Sequence, residues 1–160
     1  MGYNIIMNIA VYFDPITTLL KRNIYDAPLL DRFSYRSVLR KKIIQKSCLN
    51  GCIDNHHIIP KQFKNHDIIH RIKYKIDFSY NIAMLPNAKF RYHEAFKYSP
   101  DTLIHERSHV PYSKFVEQNL NEMSLAIVDE DTLKYEFWLF HEHLKHSLHN
   151  GRNHIPWNEY

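Results

Sequence analysis

Residues 54–63, DNHHIIPKQF, place two histidines side by side and follow them with an apolar pair and a proline. Isoleucines on both sides of the doublet favour a short strand, and Pro60 predicts where that strand ends. Successive side chains of a strand point to opposite faces, so His56 and His57 would face different surroundings. The doublet has a chemical role only if other parts of the chain supply partners for it.

The segments around the doublet predict a mainly helical chain with two short strands. Residues 1–47 look largely helical, because apolar residues recur at helical spacing with few breakers. Residues 52–59 and 80–86 are short apolar runs that meet a proline, and they predict strands. Residues 108–123 and 129–151 carry apolar stripes and predict two helices. The order helices, strand, loop, strand, helix, helix predicts an α+β fold.

The length and composition favour one globular domain with a basic first half. A chain of 160 residues can bury a real core, and its 44% hydrophobic and 24% charged residues are ordinary for a globular protein. Residues 1–80 hold 13 Lys and Arg against 6 Asp and Glu, whereas residues 81–160 hold 8 against 11. A one-sided basic region is typical of proteins that bind polyanions, although a solvated helix face would also produce it.

The start of the chain carries no recognisable targeting signal. The stretch MGYNIIMNIAVYF is apolar but lacks the basic region and the cleavage site of a signal peptide. No run approaches the roughly 20 apolar residues of a membrane span. Cys48 and Cys52 are too few for a disulfide framework, which fits a reducing compartment. These features predict an intracellular protein with no membrane partner.

A second histidine pair supplies the partners that the doublet needs. His105 and His109 are four residues apart, just before or at the start of a predicted helix, so they can face one site. Neutral imidazoles are good ligands for divalent metals, and His56 would complete a site of three protein ligands with open positions. Hydrolysis needs such positions for water and a phosphate oxygen. His57, on the other face, could act as a general base if a bend aimed it at the water.

Three motifs in this order resemble the HNH nucleases with the ββα-metal fold. They are NHHIIPK at 55–61, NIAMLP at 81–86 and HERSHVPYSKFVEQNL at 105–120. They look most like the AHH branch, known from polymorphic toxin modules. Its pattern runs His-His-x-x-Pro, then Asn-x-x-x-Leu-Pro, then His-x-x-x-His-Pro-x-Tyr and a helix. The resemblance covers residues 55–120 and implies a metal-dependent endonuclease.

The resemblance also implies a role for each matching residue. It implies that His56 ligates the metal and that His105 and His109 complete the metal site. It implies that His57 activates water. Asn81, grouped with His57 as catalytic, would brace the two strands by hydrogen bonding.

The chain departs from the family pattern at three points. Asn55 stands where the family has alanine, and Val110 separates the second histidine of the pair from the proline that should follow it directly. The segment between the second strand and His105 is longer than the pattern leads us to expect. If the longer segment moved His105 away from the site, His93 would be the substitute ligand.

These observations predict a single, mainly helical α+β domain over residues 1–160. A ββα-metal nuclease core is expected at residues 48–125. A helical N-terminal extension at residues 1–47 would precede it, and a C-terminal helix and tail at residues 126–160 would follow.

The predicted activity is hydrolysis of phosphodiester bonds in nucleic acid, DNA in preference to RNA, with little sequence specificity. One divalent ion, Mg, Mn or Zn, would be the cofactor. Phosphate contacts are expected from basic residues near the site and in the first half of the chain: Lys61, Lys64, Lys73, Arg107, Arg40, Lys41 and Lys42. If the chain were a toxin, it would be delivered as an effector and an inhibitor or immunity protein would be a further partner.

Four residues offer an alternative metal set at the spacing C-x3-C-x13-H-x3-H: Cys48, Cys52, His66 and His70. This spacing is one residue from that of a zinc finger and predicts a non-catalytic, zinc-stapled nucleic-acid-binding module. The core aromatic residue of a finger should follow the second cysteine closely, but a histidine of the doublet stands there. A proline also falls where the helix of the finger should begin.

Overall fold

A two-stranded antiparallel sheet lies between two apolar clusters. Strand β1 is Ile53–His57 and strand β2 is Ile82–Pro86, with His57 paired to Ile82 at one end of the ladder. Both predicted strands are confirmed, at slightly shorter lengths. The computed structural model describes five stretches of the chain: residues 34–46, 49–93, 103–106, 108–150 and 155–157.

The described residues form four α-helices: α1 Val38–Lys46, α2 Asp67–Arg71, α3 Val110–Ala126 and α4 Glu130–Asn150. Three short 3-10 helices connect these elements: Lys61–Asn65, Ser79–Asn81 and Ala88–Tyr92. The chain is therefore mainly helical with a small sheet, which confirms the predicted α+β class. None of the helices that the structure describes is long and apolar enough to cross a membrane. The predicted domain boundaries stay a prediction, and the N-terminal extension before residue 34 lies outside the described residues.

The two faces of the sheet contribute to different apolar clusters, because successive strand side chains alternate. Ala83 and Leu85 join the larger cluster. The predicted stripe of α3 and the apolar face of α4 complete it with Tyr112, Val116, Leu120, Leu133, Phe137, Leu144 and Leu148. Ile53 and Met84, from the opposite face, join a smaller cluster with Leu49 and Phe90. Ile44 of α1 packs against this smaller cluster.

The segment before α1 is a turn, whereas the sequence predicted that residues 1–47 are largely helical. In residues 34–37, Arg36 has a φ of 60°, a left-handed conformation that residues with a side chain rarely adopt. The backbone N–H of Tyr35 donates to the carbonyl oxygen of Asp77 at 2.9 Å. This bond holds the turn against the loop before β2, and the helix begins only at Val38.

Arg40 of α1 is buried, with only 1% of its surface exposed. Its Nη2 donates to the carbonyl oxygens of Ser79 at 3.1 Å and of Ile82 at 3.3 Å. Burial lowers the pKa of Arg40 to about 10, which still leaves the guanidinium charged at neutral pH. The prediction that Arg40 contacts phosphate is therefore wrong, because its donors bind backbone carbonyls at the start of β2. Arg40 instead ties α1 to the sheet.

Replacing Arg40 with alanine should lower the free energy of unfolding by on the order of 3 kcal/mol, because two buried carbonyl oxygens lose a charged donor. Urea unfolding followed by circular dichroism measures the difference. Lys41→Ala, at an exposed position on the same helix, should stay within about 0.5 kcal/mol of the wild type. Equal unfolding free energies for the Arg40→Ala variant and the wild type would contradict this role.

Candidate metal centre and active site

Three histidines from separate parts of the chain meet beside the sheet. His56 lies on β1, His105 follows β2 in sequence and His109 occupies the N-cap position of α3. One ring nitrogen from each lies within 4.8 Å of the others. The ring centroids are 5.1 Å apart for His56 and His105, 5.5 Å for His56 and His109, and 4.9 Å for His105 and His109. The structure thus brings the three predicted ligands together.

His56 is held on the core side of β1. The residue is 8% exposed, and its strand partner is Ala83. Burial, followed by the neighbouring His105 and His109, lowers the pKa of His56 well below its ordinary value, so its imidazole is neutral at neutral pH. Its Nε2 is buried without a hydrogen-bond partner among the described residues. A neutral imidazole with such a buried nitrogen is suited to binding a metal ion.

His105 is fixed by both its backbone and its ring. Its N–H donates to the carbonyl oxygen of Pro86 at 2.6 Å, and the residue forms a parallel bridge with Asn87 at the end of β2. The ring Nδ1 lies 3.1 Å from Oδ2 of Asp54, and Asn87 donates to the other carboxylate oxygen at 3.2 Å. An ionised carboxylate only accepts, so Nδ1 carries the proton and Nε2 is left to bind a metal. Carboxylates orient metal-binding histidines in this way.

Asp54 is a site residue that the sequence interpretation missed. It lies two positions before His56 on β1, and strand side chains two apart point to the same face. The alternation of strand side chains, which places His56 and His57 on opposite faces, could therefore have identified Asp54 from the sequence.

His109 is positioned by the start of α3. The helix has a proline in its first turn, and the hydroxyl of Tyr112 donates to the carbonyl oxygen of Ile58 just after β1. This bond attaches the first turn of α3 to the end of the strand that carries His56. The ring of His109 stacks on Trp157, with centroids 4.0 Å apart and planes inclined by 25°.

The donor set fits a divalent transition metal. Three imidazoles of this kind suit Zn and related first-row ions better than Mg, which prefers carboxylates, carbonyls and water. Three protein ligands also leave coordination positions open for a substrate and for water. Across the stretches that the structure describes, the only group of three or more histidine, cysteine or acidic side chains with metal-binding geometry is His56, His105 and His109. His93, the predicted substitute ligand, is not part of it.

His57 is the last residue of β1 and lies on the face opposite His56, and the chain bends at Ile58 and Ile59 directly after it. Its Nε2 is 2.8 Å from Oδ1 of Asp77, and its ring centroid is 4.5 Å from that of Tyr35. Because the carboxylate accepts, Nε2 carries the proton and Nδ1 is an acceptor. Burial lowers the pKa of His57, while Asp77 raises it by a smaller amount, so the imidazole is largely neutral at neutral pH. Sequence reasoning missed Asp77, which lies twenty residues away.

Asn81 is fully buried between the two strands. Its Oδ1 accepts from the N–H of Ile59 at 2.7 Å, and its Nδ2 donates to the carbonyl oxygens of Ile59 at 3.0 Å and Ile76 at 2.8 Å. Both amide hydrogens are engaged with the backbone. The side chain therefore ties the residues after β1 to those before β2, which is the bracing geometry that the resemblance implied.

Five of the seven basic residues predicted to contact phosphate are exposed: Lys41, Lys42, Lys61, Lys64 and Lys73. Lys61 lies closest to the doublet, with its Nζ 3.7 Å from Oδ2 of Asp77, the carboxylate that also holds His57. Arg107 lies outside the described residues.

The alternative zinc set is not assembled by the residues that the structure places. His66 uses both ring nitrogens, because Nδ1 accepts from the N–H of Ile68 at 3.3 Å and Nε2 lies 3.1 Å from Oδ1 of Asn121. His66 thereby caps α2 and ties it to α3. Cys48 falls outside the described residues, and Cys52 is a free thiol.

A family model described as a nuclease family of the HNH/ENDO VII superfamily with conserved AHH matches residues 50–136. No curated protein and no solved structure matches the chain. In place of the alanine of AHH, this chain has Asn55, whose Oδ1 is buried without a hydrogen-bond partner among the described residues. The match takes in both strands, the three clustered histidines and α3, and it covers more than half of the 160 residues. The chain therefore belongs to the AHH nuclease family of the HNH/ENDO VII superfamily.

Proposed function

We propose that this protein is a metal-dependent endonuclease that hydrolyses phosphodiester bonds with little sequence specificity, acting on DNA in preference to RNA. The observation that carries the proposal is the convergence of His56, His105 and His109 next to a second, differently oriented histidine, His57. His56 on β1 belongs to the candidate metal site, and His57 projects from the other face of the same strand. This arrangement suits a reaction that needs both a Lewis-acid ion and a general base.

In this proposal, His56, His105 and His109 hold one divalent ion, with Zn favoured over Mg and Mn by the imidazole donors. The bound ion would supply Lewis-acid stabilisation of the negative charge that develops on the phosphate and the leaving oxygen. Asp54 keeps the proton of His105 on Nδ1, and burial keeps His56 neutral. The protein therefore presents a neutral imidazole from His56 and Nε2 of His105 to the ion.

His57 is the proposed general base. Asp77 holds the proton of His57 on Nε2, which leaves Nδ1 to accept a proton from water as the water oxygen attacks phosphorus. The bond between phosphorus and the leaving oxygen then breaks, and the leaving oxygen takes a proton from solvent. Asp77 and the ring of Tyr35 restrict the rotation of His57, so Nδ1 keeps one direction. Asn81 acts as a positioning residue through the strand pair.

The proposed nucleic-acid surface is the basic rim next to His57. Lys61 lies beside Asp77, and Arg36 and Lys61 lie over the ring of Tyr35, at 5.1 Å and 5.9 Å from its centroid. The exposed Lys64 and Lys73 extend the positive charge away from the doublet. Contacts of this kind to the sugar–phosphate backbone carry no sequence information, which supports the expected low specificity.

Cleavage should require a divalent ion. Purified protein should nick plasmid DNA in the presence of Zn or Mn, and EDTA should abolish the nicking, because the ion supplies the charge stabilisation. The same assay with a long RNA compares the two substrates, and conversion of supercoiled plasmid measures the rate. Absence of cleavage with Mg, Mn and Zn on both substrates would overturn the proposed activity in favour of a binding module.

Alanine variants of the two histidines of the doublet should lose cleavage activity for different reasons. His56→Ala should weaken metal binding and cleavage together, because it removes one of three protein ligands. His57→Ala should leave metal affinity near wild type and lower the single-turnover rate roughly 10²–10⁴-fold, the usual contribution of a general base. Calorimetric metal titration and single-turnover cleavage separate the two effects.

The exposed His70→Ala variant is the matched control for both members of the doublet, and it should keep both wild-type values. Wild-type metal affinity in the His56→Ala variant would refute the ligand assignment. Wild-type turnover in the His57→Ala variant would refute the base assignment.

Nucleic-acid affinity should depend on salt through the lysines of the rim. Charge reversal of Lys61, Lys64 and Lys73 should reduce the slope of log affinity against log salt by about one for each lysine that contacts phosphate. Fluorescence anisotropy with a DNA duplex in EDTA measures binding without cleavage. Lys134→Glu, at an exposed position on α4 in the acidic half of the chain, is the control and should change the slope little. An unchanged slope in the triple variant would exclude this surface.

A further inference from the structure

One side of the histidine cluster is covered by an aromatic residue, Trp157, from outside the region that matches the family. Trp157 lies beyond α4, twenty-one residues after the end of the match at residue 136. Its indole ring stacks on His109 at 4.0 Å between centroids and meets His56 edge-on at 5.0 Å. The centroid of His105 lies 6.4 Å away. One side chain therefore borders all three clustered histidines.

Trp157 is itself firmly anchored. Only 4% of its surface is exposed, and its Nε1 donates to the carbonyl oxygen of Ile104 at 3.0 Å. Ile104 directly precedes His105, so this bond also joins the tail to the backbone of the segment that carries His105. Ile155, two residues earlier, is buried in the larger apolar cluster. The short segment 155–157 is thus held by apolar packing at Ile155 and by the hydrogen bond of Trp157.

We propose that Trp157 is a positioning residue of the metal centre, which holds the imidazoles of His56 and His109 in binding orientation and excludes water from one side of the site. This inference rests on the ligand set of the proposed function. The stacked indole limits rotation of the ring of His109, and its contact with His56 limits the second ring. Ligands that are already oriented lose less conformational freedom when they bind an ion, so the affinity of the site rises.

The proposed role of Trp157 extends the functional unit beyond residue 136, where the family match ends. A chain that ended with the family match would contain His56, His105 and His109 but would lack the indole ring against which His56 and His109 pack. Residues 155–157 are therefore part of the metal centre, although none of them belongs to the ligand set.

The test compares the two tryptophans of the chain, Trp138 and Trp157, in the full-length protein. Trp157→Ala should weaken Zn binding about 10- to 100-fold, the range found when groups that orient metal ligands are removed. Trp157→Phe should lose less, because a smaller ring still packs on His109. Trp138 packs on Tyr74 and Tyr80 in another part of the core, so Trp138→Ala and Trp138→Phe should keep wild-type Zn affinity. Calorimetric titration measures all four variants beside the wild type.

A fluorescence titration gives a second readout that needs neither activity nor the alanine variant. Co²⁺ should quench the Trp138→Phe variant, in which Trp157 is the only tryptophan, with the same midpoint as a calorimetric titration of that variant with Co²⁺. The Trp157→Phe variant, which keeps only Trp138, should show little quenching. Absence of quenching in the Trp138→Phe variant would overturn the placement of Trp157 at the metal centre, even if Trp157→Ala failed to fold.

The outcomes separate this inference from the proposed function. Folded Trp157→Ala protein with wild-type Zn affinity would overturn the positioning role, and a simultaneous loss of binding in His56→Ala would leave the ligand set intact. Wild-type Zn affinity in His56→Ala would overturn the ligand set and the inference with it. Weaker binding in Trp157→Ala, together with wild-type binding in Trp138→Ala, supports the inference.

Discussion

The antiparallel pairing of β1 with β2 is the constraint on which both halves of the site depend. Because side chains alternate along a strand, this pairing directs His56 towards the larger cluster and His57 towards the opposite face. A slip of one residue would exchange the two imidazoles and destroy both sites. Asn81 opposes such a slip, because its amide bonds the backbone of Ile59 and Ile76 at the end of the ladder where the doublet lies. A fully buried amide thereby fixes the orientation of two histidines that it does not touch.

In the proposed function, carboxylates give chemically identical side chains different tasks. Asp54 bonds Nδ1 of His105 and leaves Nε2 for a metal, whereas Asp77 bonds Nε2 of His57 and leaves Nδ1 as an acceptor. Each aspartate fixes one tautomer because an ionised carboxylate can only accept a hydrogen bond. The identity of the histidines alone therefore does not set their roles; the nitrogen that each carboxylate occupies does.

The sequence predicted the strands and the helix α3 from local periodicity. It predicted the convergence of His56, His105 and His109 from the spacing of the second histidine pair together with the resemblance to the HNH nucleases. It did not predict that Arg40 is buried, since a run of basic residues looks the same whether it faces solvent or caps the start of a strand. The left-handed turn before α1 was missed for a similar reason. It is held by a bond from Tyr35 to Asp77, forty-two residues away, and helical propensity carries no information about such a contact.

A two-stranded sheet is too small to enclose both of its own faces, so other segments must cover the imidazoles that project from them. On one face, Tyr35 packs on His57 at 4.5 Å between ring centroids. On the other, Trp157 stacks on His109 at 4.0 Å. Tyr35 precedes the matching residues 50–136 and Trp157 follows them. The family core thus supplies the histidines and the strand that separates His57 from the other three. An aromatic residue from each flanking segment packs on one imidazole, Tyr35 on His57 and Trp157 on His109, and restricts its rotation.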